Sequence, residues 1–226
     1  MKRKAVTRRN NTMSFKNLNL INPIIRAATE AGCPMPTELQ IKMIPHILNG
    51  QDVLCQISRG TERMTSFTMP VLQMLKKNNP DHNDTRVLVL TPTKETALEI
   101  EDNFNVYTKY LPLSQLSVYE GISNGTQLSS LRRRLDVLIA TPEKLLELDD
   151  QRHISLSKIE VLIIDDTEIL LEKNTDVLKR LINKLPLKRQ NILYSTTLSK
   201  EVSSFAEKIG NGRIETMKTT EYSAVS

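Results

Sequence analysis

The sequence predicts an α/β fold, a doubly wound and mostly parallel sheet with helices on both faces. Three observations carry this. Short apolar runs recur along the chain, and stretches with helical spacing separate them. Such alternation implies parallel pairing through right-handed crossovers. The third is one stretch: Val161-Leu162-Ile163-Ile164 runs straight into Asp165-Asp166-Thr167-Glu168. A continuous apolar run is how a strand buried on both faces reads, and acids at its carboxyl end fall where open α/β sheets bind ligands. Taken alone, these eight residues fit equally well a core strand that ends in a solvated acidic turn.

Taken in order, residues 20–31 carry helical spacing that Gly32 and Pro34 end. A second helix opens at Pro36-Thr37, with Thr37 as its N-cap. Asn49-Gly50 is a turn. Residues 52–57 read as a short buried strand, and a helix follows over 63–77. Residues 78–85 form a polar loop. Further strands are expected at 87–90, 116–119, 137–140, 161–164 and 191–195. The helices between and after them cover 94–110, 125–133, 143–148, 176–184 and 200–209. The last dozen residues read as a strand end running into a tail or an interdomain linker. The organisation expected is a basic arm over 1–13, one domain over 14–216, and a tail over 217–226.

Composition excludes several classes. Five of the 31 Lys and Arg residues lie in the first ten, leaving 26 against 26 Asp and Glu in the remainder. The basic pI therefore belongs to an arm and not to the fold. Such an arm reads as a solvated tail, with a nuclear address or a phosphate-binding role as the alternatives. Cys33 and Cys55 are too few for a disulfide framework or a zinc site, which suits a reducing compartment. No apolar run reaches membrane-spanning length. With no Trp and few aromatic residues, base stacking platforms are not advertised.

The ordered residues resemble the first RecA-like domain of DEAD-box RNA helicases, a P-loop NTPase fold, from Phe15 to about Glu215. Phe15, Gly32 and Pro36-Thr37-Glu38-Leu39-Gln40 resemble the family's Q motif. The segment Ile57 to Met64 falls at the P-loop. Pro92-Thr93-Lys94-Glu95-Thr96-Ala97 is similar to the PTREL segment. Glu120-Gly121 stands at paired glycines, and Thr141-Pro142-Glu143-Lys144-Leu145 is similar to the TPGRL segment. Asp165-Asp166-Thr167-Glu168 lies at the DEAD position and Ser195-Thr196-Thr197 at the SAT position.

The resemblance implies ATP and Mg²⁺ as cofactors and single-stranded RNA, held by its backbone, as a partner. It assigns ATP contacts to Phe15, Gln40, Gly60, Thr61 and Arg63, with Gln40 reading adenine. Asp165 would hold Mg²⁺ through water, and Asp165 and Asp166 would be catalytic if the site is active. RNA contacts fall to Thr93, Lys94, Gly121, Thr141 and Lys144, and coupling to a second RecA-like domain falls to Ser195 and Thr197. Protein partners, no membrane, no disulfides and a cytoplasmic setting, with the nucleus or RNA granules as alternatives, complete the expectation.

Several positions depart from that pattern. Glu62 replaces a glycine, and an inward carboxylate about 4 Å from a phosphate would cost on the order of 4 kcal/mol. Arg63 keeps the lysine charge without its compact shape. Met64 offers a thioether where a hydroxyl should meet a hard cation. Asp166 is one methylene shorter than the family's Glu, and Glu168 one longer than its Asp. Glu120 and Glu143 replace glycines on the RNA side. These changes predict weakened or lost ATP use, weak RNA affinity, and no unwinding by this lobe alone. The alternative is a pseudoenzyme scaffold that binds protein partners or RNA without ATP.

Overall fold

The structure is a computed structural model that describes residues 13–77, 84–121, 131, 134–210 and 212–218. Most of the expected basic arm, of the loop at 78–85, of the helix at 125–133 and of the tail lies outside the described residues. Seven strands form one sheet: β1 (Val53–Gln56), β2 (Val87–Leu90), β3 (Gln115–Val118), β4 (Val137–Ala140), β5 (Val161–Ile164), β6 (Gln190–Ser195) and β7 (Glu215–Lys218). Every pairing is parallel, in the order β3-β4-β2-β5-β6-β1-β7. The helices are α1 (Asn22–Glu30), α2 (Glu38–Leu48), α3 (Thr61–Lys77), α4 (Lys94–Thr108), α5 (Pro142–Asp150), α6 (Thr167–Lys184) and α7 (Lys200–Ile209).

Alternation along the strands builds two cores. Val53, Cys55, Val89, Ile139, Ile163 and Tyr194 face α1 to α4, while Leu54, Leu88, Leu90, Leu138, Leu162 and Leu193 face α5 to α7. Successive side chains of a strand point to opposite faces, so a four-residue apolar run supplies two residues to each core. That is why β2, β4 and β5 are apolar at all four positions.

Thr37 does cap α2. Its hydroxyl accepts from the Gln40 amide while the Gln40 side chain accepts from the Thr37 amide, a complete capping box. Helix α6 differs from expectation: it begins at Thr167, directly on the acidic run, and not near residue 176. It departs from helical geometry at Asn174 (φ −128°, ψ 22°), so only its second half shows a clean apolar spacing. β7 extends to Lys218, into the stretch expected to be tail. The carboxyl ends of β1, β6 and β5 thus lie side by side, which brings the P-loop segment against the acids.

Candidate functional site

Gly60 links β1 to α3 with φ +151°, a backbone conformation that residues with a side chain rarely adopt. The first turn of α3 then delivers Arg63 inward. Its guanidinium is 3% exposed and forks between the two acids. Nη1 donates to Asp166 Oδ1 at 2.9 Å and Nη2 to Asp165 Oδ2 at 3.1 Å. Nε stands 3.1 Å from Asp165 Oδ1 but out of line, so neither atom has a hydrogen-bond partner. Arg59, half-exposed, adds a second cation through Nε to Asp166 at 3.0 Å.

Asp165 follows directly on β5 and is fully buried, and Asp166 turns the chain into α6 in the left-handed region (φ 51°). A short polar side chain tolerates that backbone. The Asp166 carboxylate does not cap α6, because Arg59 and Arg63 hold it. Burial pushes the Asp165 carboxyl up to about 7, against the opposing pull of Arg63. One buried and one exposed arginine therefore face two buried acids.

The flanking residues are equally engaged. Thr61 and Glu62 are exposed, and Glu62 points its charge to solvent at the positive end of α3. The inward carboxylate considered from the sequence does not occur. Met64 is half-buried, and the adjacent Thr65 hydroxyl donates to the Glu62 carbonyl and accepts from Gln40 Nε2 at 2.7 Å. Gln40 is 2% exposed with both ends of its amide in use. Phe15 lies in the core, 1% exposed, among α1 to α4. Among the described residues, no group of three or more His, Cys, Asp or Glu side chains is placed to hold a metal ion.

At the coupling end, the extra methylene of Glu168 reaches the loop after β6. Its carboxylate accepts from Ser195 Oγ at 2.7 Å, Thr196 Oγ1 at 2.7 Å and the Thr196 amide at 3.1 Å. Burial works to raise the Glu168 carboxyl, yet these donors outweigh it and leave it below its ordinary value. Ser195 Oγ also lies 2.7 Å from the Thr197 carbonyl.

Across the sheet, Thr93 caps α4 by accepting from the Thr96 amide. Lys94 is exposed, with Nζ 5.2 Å above the Tyr119 ring. Gly121 holds φ +89°. Thr141 is buried and donates to Glu120 at 2.7 Å, and buried Lys144 donates to Glu147 at 3.0 Å. Glu143 accepts from the Asn174 amide. Sequence reading missed Arg59, Glu147 and the Gln40–Thr65 bond. Two arginines four residues apart around Gly60 were the available signal for the first.

This is the fold of a RecA-like domain, with its P-loop and acidic strand end in contact. The family model for DEAD/DEAH box helicases matches residues 37–205, and the chain belongs to that family. It is 34% identical over 196 residues to a protein named probable ATP-dependent RNA helicase ddx27 of Dictyostelium discoideum, and covers 86% of this chain and 25% of that protein. It is 30% identical to the DEAD-box ATP-dependent RNA helicase RhpA of Helicobacter pylori, over 87% of this chain and 39% of that one. The chain thus spans less than half of these relatives. The crystal structure of a DEAD box protein from Methanococcus jannaschii superposes with a TM-score of 0.85 at 24% identity, over 92% of this chain and 56% of that one. The family implies use of ATP and Mg²⁺.

Removing the Arg63 charge should expose how much the acids depend on it. Arg63→Met leaves a buried carboxylate pair with Arg59 alone, and should lower unfolding free energy by about 3–5 kcal/mol in urea denaturation. A loss under about 1 kcal/mol would show that the pair is balanced elsewhere.

Proposed function

We propose that this chain is the amino-terminal RecA-like lobe of a helicase-type protein in which ATP binding and hydrolysis are weakened or lost, and which serves as an RNA-related binding module. The observation that carries this reading is the Arg63 fork. A triphosphate with Mg²⁺ needs a lysine-like point charge on the phosphates, a hydroxyl on the metal and a free acid beside it. Here the cation is turned onto the acids, both Asp165 oxygens face Arg63, and Met64 stands at the hydroxyl position. Thr65 and Gln40 satisfy each other. The residues present do not fit Mg²⁺-ATP in the family's arrangement.

The RNA part of the reading rests on the family and on relatives named RNA helicases. Thr93, Lys94, Gly121, Thr141 and Lys144 form the face it assigns to a phosphate backbone. A second RecA-like domain is the partner expected at Ser195 and Thr197. One observation favours a second reading, a pseudoenzyme scaffold for protein partners: Glu120 and Glu147 already occupy Thr141 and Lys144, which reduces what that face offers to RNA.

Titration calorimetry with ATP and ADP, with and without Mg²⁺, tests the first reading. Binding near ~1 mM or weaker, indifferent to Mg²⁺, is expected; micromolar binding that requires Mg²⁺ overturns it. Fluorescence anisotropy with single-stranded RNA at fixed salt separates the two readings. Weaker binding by Lys94→Ala supports the RNA module, and no RNA binding by the wild type supports the scaffold.

A further inference from the structure

A cleft of about 530 Å³ lies between α6 and α7, on the face of the sheet away from α1 to α4. Its apolar floor is made by Leu171, Val202 and Phe205. Val202 belongs to the core, while Leu171 and Phe205 are half-buried and pack against it from outside. Both helices follow neighbouring parallel strands, so both run from the carboxyl end of the sheet toward its amino end. Charge is graded along them. Exposed Glu172 and Glu201 stand toward the start of the cleft, exposed Lys179 and Lys208 toward its far end.

We propose that this cleft docks an amphipathic helix of a protein partner, lying antiparallel to α6 and α7. Helices favour acids in the first turn and bases in the last. An antiparallel helix would bring its acidic first turn to Lys179 and Lys208, and its basic last turn to Glu172 and Glu201. Its macrodipole would then oppose those of both walls. A parallel helix would meet like charges at both ends. Leu171 and Lys179 lie eight residues apart on either side of the break at Asn174, roughly 12 Å at the ordinary helical rise. Two to three turns with apolar anchors at i, i+4 and i+7 match that length. The cleft uses neither Arg63 nor Asp165; Glu168, which holds Ser195 and Thr196, lies at its rim.

Two synthetic amphipathic peptides of identical composition test it, one with an acidic first turn and basic last turn, the other with those charges exchanged. Anisotropy and amide shifts of the ¹⁵N-labelled chain are recorded for each. The first peptide is expected to bind at least ten times more tightly, to shift amides of α6 and α7, and to lose tenfold affinity for Phe205→Ser. Leu171→Ser serves as the second variant if Phe205→Ser melts early. Equal binding by both peptides, none by either, or shifts confined to another face overturns the proposal. Sedimentation showing a dimer that Phe205→Ser dissolves also overturns it, by assigning the cleft to a second copy of the chain.

Discussion

A guanidinium held between two buried carboxylates joins the loop, strand end and helix start at the carboxyl edge of the sheet. Asp165, Asp166 and Arg63 are each almost fully removed from solvent, where an unpaired charge is expensive. Pairing them ties three elements together: the first turn of α3, the carboxyl end of β5 and the first residue before α6. Arg59 adds a tether from the P-loop itself. The chain passes through Gly60 at positive φ and through left-handed Asp166 on either side of these paired charges. A lysine at position 63 could reach one acid or a phosphate in turn. A planar fork reaches both acids at once, with one hydrogen bond to each.

The same pattern of internal pairing recurs around the sheet's carboxyl edge. Where glycines would leave room for a ligand, Glu120 takes the Thr141 hydroxyl and Glu143 the Asn174 amide. Glu147 holds the buried Lys144 ammonium. Glu168, lengthened by one methylene, gathers Ser195 and Thr196. Four carboxylates of the chain thus take up hydroxyl, amide and ammonium donors along this edge, while Lys94 stays exposed over the Tyr119 ring.

The fold was legible because buried parallel strands write themselves as unbroken apolar runs. β2, β4 and β5 sit at the positions expected, and the alternation within each run explains the two cores. Two elements were less legible for physical reasons. β7 is a largely exposed edge strand in which Met217 alone is apolar, so it read as little more than a strand end. The start of α6 was hidden because its N-terminal side is acidic and because the break at Asn174 divides its apolar spacing.

At the site, residue types were legible and pairings were not. Arg63 and Asp165 are about a hundred residues apart in sequence, and nothing local says that the cation turns toward the acids and away from solvent. Gln40 was legible as a motif residue, yet its amide is absorbed by the Thr37 cap and by Thr65. Phe15, read as part of the Q motif, is a core residue here. Glu62 was legible as a charge, but only the backbone direction of α3 shows that it faces solvent.

Whether the guanidinium has taken over the work of a metal is best read with Mn²⁺, which reports divalent-cation binding by electron paramagnetic resonance. The wild-type chain should show no stoichiometric Mn²⁺ site, and Asp165→Asn should leave the spectrum unchanged. A stoichiometric site in the wild type that Asp165→Asn abolishes would contradict the account, since it would place a cation where Arg63 is held to be the counter-charge.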